Sequence, residues 1–545
     1  MDIKKLFFTV IHLRLIQVFS RVTFRLFKPS PKVISLNTRN VETKGFLPLK
    51  KPSMYGPSSF IFLNELHEFD NLDMWNNSSV SKLWLYNLHY FDDLNASEYE
   101  KRKEWHLNLI DRWIDENPPG KGVGWDPYPI SLRIVNWIKW YYNGNQLCSK
   151  ALDSLAVQAS YLSKRLEYHL LANHLFANAK ALIFAGIFFE GKEADKWIEK
   201  GLSILNKEIP EQILQDGGNF ERSPMYHSIM IEDMLDLICL AQNCRNPLLS
   251  FEKVSEWKEI TCKMLHWLNA MCHSDSQISL FNDAAIGIAP EYDQLSYYAE
   301  RLGIGTLEAS SGLIDLKESG YISYKNEDYS LIVDAGNIGP DYQPGHAHAD
   351  TLSFELSVNK KRIIVDSGTS CYGTGAERLR QRSTDAHNTI SIDGFDSSEI
   401  WGGFRVARRA KIIERKIEKK ENSIVIRASH DGFRRRNIEI GNHIRTWILE
   451  KKRVTLIDTI EGKGMHYIKS NLHFHPEIEL SLNGKVLLAL YSGNIFCKLF
   501  LDETMEVIIE DSTYHPQFGA AIRNKKLVIK KNSVLPFTFK TIIEI

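Results

Sequence analysis

The sequence predicts a multidomain α and β protein: paired helices arranged as a ring or solenoid, then an antiparallel β-sandwich. Two observations carry this. From about Ser97 to Arg301 apolar residues recur at i, i+3, i+4 and i+7, the period of an amphipathic helix. Near Gly303 the pattern changes to short alternating runs rich in Ile, Val and Phe, separated by turns such as Glu450-Lys451-Lys452 and Asn483-Gly484-Lys485. At 545 residues, the chain exceeds one ordinary core.

Residues 1–32, basic at the start, place His12, Arg14, Arg21 and Arg25 at helical spacing among apolar residues. They are expected to form an amphipathic helix that packs on the protein or rests on a membrane surface. No small-residue cleavage site follows and no apolar run is long enough to span a bilayer, so a cytoplasmic or membrane-peripheral location is expected, with the periplasm as the alternative. Residues 33–96 are an irregular lead-in that ends in an aromatic cluster, Trp84, Tyr86, His89, Tyr90 and Phe91. Such a cluster is either core packing or a surface on which sugar rings stack.

Within 97–305, helices are expected over KRKEWHLNLIDRWIDENPP, ISLRIVNWIKWYYNG, ALDSLAVQASYLSKRLEYHLL, NHLFANAKALIFAGIFFEG, ADKWIEKGLSILNKEIPEQI, MYHSIMIEDMLDLICLAQN and WKEITCKMLHWLNAMC. Residues 306–545 form the β half. Lys and Arg number 67, as do Asp and Glu, which excludes a globally basic nucleic-acid binder. The 7 cysteines include no CxxC, against a disulfide framework or a thiolate zinc finger.

The chemistry concentrates between Gly339 and Gly394. His346 and His348 follow a Pro-Gly turn; read as a strand, they and Asp350 share one face. Asn359-Lys360-Lys361 reads as a hairpin turn that brings Asp366 back toward the histidines, and His387 precedes the strand-like NTISID. Nitrogen and oxygen donors clustered on strand ends suit zinc, whereas a lone histidine is more often structural. On the helical half, Asn173 opens a helix, where an N-cap is the simplest role. In GGNFERSPMYHS, Glu221, Arg222 and Tyr226 flank a helix start; a tyrosine there is normally a half-buried packing residue, and can serve as acid or base if a neighbouring cation or metal lowers its pKa. GWDPYPISLR offers Trp125, Tyr128 and Arg133. Arginine clusters that include Arg382 and Arg405 suggest an anionic ligand, or strand charges that discourage aggregation.

Together NLHYFDDL, WDPYPISLRIVNW, NHLFANAKAL, DGGNFERSPMYH, GHAHAD, VDSG and DAHNTISIDG resemble the heparinase II/III-like polysaccharide lyases, in order and spacing, over roughly residues 80–480. The resemblance implies an incomplete N-terminal α/α toroid, a C-terminal antiparallel β-sandwich and cleavage of an acidic, uronate-bearing polysaccharide by β-elimination. It implies that Asn173 neutralises the substrate carboxylate, that Tyr226 is the acid/base and that His346 is the second catalytic residue. Trp125, Tyr128, Arg133, His174, Glu221, Arg222, Arg382 and Arg405 are expected to bind substrate. His348, Asp366 and His387 match positions for one structural divalent metal, commonly zinc. Similar sequences also accompany surface-polysaccharide biosynthesis. A metal-dependent glycan hydrolase or transferase, and a non-catalytic glycan-binding protein, are the competing expectations.

Overall fold

The computed structural model describes residues 3–39, 45–69, 72–244, 246–305 and 311–545. The expected boundary at 305/306 adjoins residues 306–310, which lie outside the described residues.

The helical half follows its sequence periodicity closely. Helices run over Lys103–Glu116, Pro127–Tyr142, Ser149–Leu162, Ala172–Phe188, Lys192–Gln212, Pro224–Asn243 and Phe251–Met271. Prolines stand in the first turns at Pro127 and Pro224, where no backbone N–H is lost. The third helix is shorter than its apolar pattern suggested, because the chain leaves it after Leu162 to form the loop that carries His169 and leads into the helix opening at Ala172. The lead-in is more regular than expected: Met54–Gly56, Ser59–Phe62 and Glu65–Glu68 form a three-stranded meander, and Lys82–Tyr90 is a helix. The N-terminus is two helices, Ile3–Val10 and Leu15–Leu26, bent by 110°, and not the single helix expected.

The β half comprises three large sheets. A five-stranded antiparallel meander runs Gly312–Leu316, Tyr321–Lys325, Tyr329–Asp334, Phe354–Val358 and Lys361–Ile364. An eight-stranded sheet contains Ile440–Glu450 and Arg453–Gly462 at its centre, and a four-stranded sheet contains Met465–His473 beside Ile390–Ile392. Leu331, Phe354, Leu356, Trp447, Leu456 and Ile468 from these sheets share one buried core, as a sandwich requires. The hairpin predicted at Asn359-Lys360-Lys361 forms one residue shorter: Asn359 and Lys360 have positive φ (47° and 64°), the geometry of a two-residue turn that matches strand twist, and Lys361 already pairs with Val358 in the strand.

A small apolar cluster welds the halves together. Trp267 and Met271 from the last long helix pack with Leu316, Tyr321 and Ile332 of the meander. Trp267 Nε1 donates to Ser319 Oγ at 2.8 Å, and buried His273 meets Glu355 at 2.8 Å. A buried, hydrogen-bonded seam of this kind fixes the angle between the halves, and the candidate site lies along it.

Candidate active site

Three loops of the helical half deliver side chains to the seam, and each contains non-glycine residues held in the left-handed region. Leu171 (φ 60°) and Ala172 (φ 49°) precede Asn173, Arg222 (φ 60°) follows Glu221, and Asn282 (φ 59°) precedes Asp283. Such conformations cost about 1–3 kcal/mol each and persist where the surroundings impose them. Here the surroundings are one network. The Asn282 side chain donates to the Arg222 carbonyl at 3.1 Å and accepts from the His348 backbone N–H at 2.9 Å. Ser223 Oγ donates to the Asp283 carbonyl at 2.6 Å, and the Asp283 N–H donates to the His346 carbonyl at 3.0 Å.

Asp283, which the motif reading missed, is the centre of the site. His346 Nδ1 donates to its Oδ2 and His348 Nε2 to its Oδ1, both at 2.9 Å, while Arg378 forks across both oxygens, with Nη2 at 2.7 Å from Oδ2. Burial alone would favour the neutral acid. The Arg378 guanidinium and the two imidazole hydrogen bonds overcome it and hold the Asp283 carboxyl well below the usual carboxylate range. With Nδ1 committed to Asp283, His346 presents Nε2 to the groove, 3.6 Å from Glu221.

The Tyr226 ring stacks on His346 with centroids 3.9 Å apart, and its hydroxyl shares a 2.8 Å hydrogen bond with that of Tyr372. Burial, then Tyr372, pushes the Tyr226 pKa well above its ordinary value, so this phenol keeps its proton. The direction is opposite to the lowering by a neighbouring cation or metal on which the sequence reading made an acid/base role conditional. Glu221 is buried, and neither of its carboxyl oxygens bonds a described side chain. Burial raises its pKa, although His346, His174 and the Asn173 backbone N–H pull it back.

Asn173 is the second residue of helix Ala172–Phe188 and not its N-cap, a position taken by Leu171. Next to it, His174 bonds Glu167 at 3.1 Å and packs on Tyr128 at 4.5 Å; Tyr128 in turn meets Tyr90 edge-on at 5.9 Å. Within the aromatic segment Trp84, His89, Tyr90 and Phe91 are buried, the core-packing reading of the two.

Several expected substrate contacts are structural. Trp125 is buried against Trp113 and Tyr161. Arg133, fully buried, donates to Gln158 and to the His89 and Gly124 carbonyls and lies 3.8 Å over Trp113. Arg382, also buried, braces the Ala347, Gly402 and Gly403 carbonyls beneath the His346 loop, and burial pulls its pKa down to about 10. Arg222 clips the seam by donating to the Asn337 and Glu318 carbonyls. Arg405 is exposed, with its guanidinium 4.8 Å over Trp401.

Residues 346–350 form a loop rather than the strand expected; the histidines converge because both reach Asp283. Beneath them His387 Nδ1 bonds Asp366 at 2.7 Å, and the His348 and His387 rings are 5.2 Å apart. Burial pushes His348 down to about 3, so the ring is neutral and its Nε2–H serves Asp283. The buried Nδ1 of His348 and Nε2 of His387 have no hydrogen-bond partner among the described residues. Two imidazole nitrogens beside a carboxylate are a donor set that fits zinc. In the present arrangement Asp366 is turned onto His387, and no three such donors converge on one point among the described residues.

This fold belongs to a known class. A family model for the heparinase II/III N-terminus matches residues 79–300, and one for the heparinase II/III-like C-terminal region matches residues 308–540. The chain belongs to the heparinase II/III-like family. Among curated proteins it is similar to a heparin-sulfate lyase of Bacteroides thetaiotaomicron, 27% identical over 341 residues, 54% of this chain and 48% of that protein. A heparin-sulfate lyase of Pedobacter heparinus is 26% identical over 327 residues, 53% of this chain and 48% of that protein. The chain spans about half the length of these relatives. Among solved structures, a crystal structure of heparinase III aligns with a TM-score of 0.69 at 19% identity, covering 97% of this chain and 89% of that one. The heparan sulfate lyase of Pedobacter heparinus aligns with a TM-score of 0.59 at 16% identity, covering 97% and 87%.

Proposed function

We propose that this protein is a polysaccharide lyase that cleaves a uronate-bearing acidic polysaccharide by β-elimination, with a glycosaminoglycan of the heparan type as the first substrate to test. The stacking of Tyr226 on His346, with Asp283 fixing the imidazole from behind, carries this reading. Elimination needs a base at C5 and an acid at the departing O4 on one short path. His346 Nε2 takes the C5 proton, the C5–H electrons become the C4–C5 double bond, and the C4–O4 bond breaks. Tyr226, which holds its proton, delivers it to O4. His346 then releases its proton and Tyr226 regains one from solvent. The C5 proton is acidic enough only when the uronate carboxylate is neutralised. Asn173, in the first turn of a helix whose N-terminal dipole favours an anion, takes that part. The names of the curated relatives support the glycosaminoglycan class.

His348, Asp366 and His387 would hold one divalent metal, with zinc the best match to the donors. It would tie the loops beneath His346 together and has no part in the proton transfers. Biosynthesis or turnover of a surface polysaccharide is the setting we propose.

The test is incubation of the purified chain with heparan sulfate, read by ultraviolet absorbance of unsaturated uronate and by mass analysis of the new ends. Tyr226→Phe should abolish the absorbance while the circular dichroism stays unchanged. Saturated ends would make the enzyme a hydrolase, and full activity of the Phe variant would remove Tyr226 from the mechanism.

A further inference from the structure

The first two helices are turned inside out relative to a packed element. Across Ile3–Val10 and Leu15–Leu26, of 8 and 12 residues, the one buried side chain is the polar Gln17. The apolar residues point outward: Phe7 is 60% exposed, Leu15 88%, Phe19 71% and Leu26 71%, with Phe27 just beyond at 71%. An apolar surface of this extent marks an interaction site.

Charge identifies the partner. Between residues 3 and 41 the sequence has eight Lys and Arg and no Asp or Glu, in a chain whose 67 basic and 67 acidic residues balance. Arg21, Arg25, Lys28 and Lys32 are exposed beside the apolar face. A second copy docked on this face would set like charges against like, whereas anionic headgroups complement them. The helices rise about 12 and 18 Å, too short to cross a hydrocarbon core of about 30 Å, and their 110° bend lays both along one surface. An outward apolar face with a basic border is the pattern of an element lying in the membrane interface.

The inner face is anchored to both halves of the protein. Gln17 donates to the Tyr342 carbonyl at 3.2 Å, Arg165 lies 3.8 Å over Phe24, and Trp401 Nε1 donates to Thr9 at 3.0 Å. Tyr342 packs on Phe220, the neighbour of Glu221. We propose that this elbow docks the protein on a lipid bilayer bearing anionic headgroups and so holds the seam groove beside the membrane. The proposal is independent of the reaction assigned to the groove.

The experiment is sedimentation of the full chain with vesicles of phosphatidylcholine alone and of equimolar phosphatidylcholine and phosphatidylglycerol, with light scattering of the free protein. The wild type should pellet with the anionic vesicles and remain in solution with the neutral ones. Leu15→Ser with Phe19→Ser should abolish pelleting. Arg25→Gln with Lys28→Gln should weaken partitioning about twenty-five-fold, near fivefold per charge, and activity on soluble substrate should stay unchanged in both variants. Failure of the wild type to pellet with anionic vesicles overturns the proposal. So does a wild-type dimer that the Leu15→Ser, Phe19→Ser variant converts to a monomer without loss of vesicle binding, which would assign the face to a second copy.

Discussion

The carboxylate of Asp283 and Nδ1 of His346, 63 residues apart in sequence, meet at 2.9 Å across the seam between the helical and β halves. The helical half thereby sets the orientation of an imidazole that belongs to the β half. Asp283→Asn keeps the size of the side chain but removes the charge that fixes the ring and balances Arg378. A loss in kcat of about 10²–10⁴-fold is expected, the range for misplacing an acid–base group. Rates on polysaccharide, with circular dichroism to establish folding, provide the check; a well-folded variant with wild-type kcat would contradict this role.

Tyr372 bears on the reaction through Tyr226. Their 2.8 Å hydrogen bond positions the proton that Tyr226 is to deliver. Tyr372→Phe removes one hydrogen bond, worth about 0.5–1.5 kcal/mol, so kcat should fall by up to about tenfold with KM nearly constant.

Arg133→Met separates structure from binding. The substitution leaves Gln158 and two buried carbonyls without a donor, and stability should fall by about 3 kcal/mol, seen as a lower Tm. KM of the folded fraction should not change. A raised KM with unchanged Tm would return Arg133 to the substrate site.

His174 gives a pH signature. Burial disfavours its charged form, but the Glu167 carboxylate at 3.1 Å more than compensates, so its folded pKa lies above the ordinary 6.5. The linked stability is fully present below about pH 6.5 and is lost as pH rises through the folded pKa. The Tm gap between wild type and His174→Gln should therefore be wider near about pH 6 than near about pH 9. A gap independent of pH would show that the pair is not ionic.

Elemental analysis tests the metal assignment. One divalent ion per chain is expected, with its removal by chelator lowering Tm, because an ion bound only by the folded state stabilises it. His348→Ala and Asp366→Ala should each purify without the ion. Variants that retain it in full would place the ligands elsewhere.

Much of the site was legible as motifs, and the part that was not has a physical cause. Tyr226 and His346 stand in recognisable segments, and the turn predicted at Asn359-Lys360-Lys361, made by its first two residues, does return the chain toward Asp366. Asp283 sits in FNDAAIG, between two helices, with no spacing that marks it; its significance comes entirely from what lies opposite. Tyr372 was unremarkable for the same reason, and Arg378 stood out only as one of a cluster of arginines read as facing an anionic ligand or as strand charges, whereas it pairs with Asp283. Arg133 and Arg382 misled in the other direction. A guanidinium in sequence announces charge, but backbone carbonyls can satisfy it in the interior as well as an anionic ligand can at the surface.

Hydrophobic period is a local property, so helices, strands and the change between them near residue 303 follow from the order of the amino acids alone. The outward face of the first two helices is different in kind: their amphipathic pattern was plain, but which side would meet the protein depended on what Tyr342, Arg165 and Trp401 offered them. The docking of Trp267 and Met271 on Leu316, Tyr321 and Ile332 decided the rest. It set the angle at which the two halves meet, and with it the contact of Asp283 with His346, because contacts between distant segments depend on packing that no short window of sequence contains.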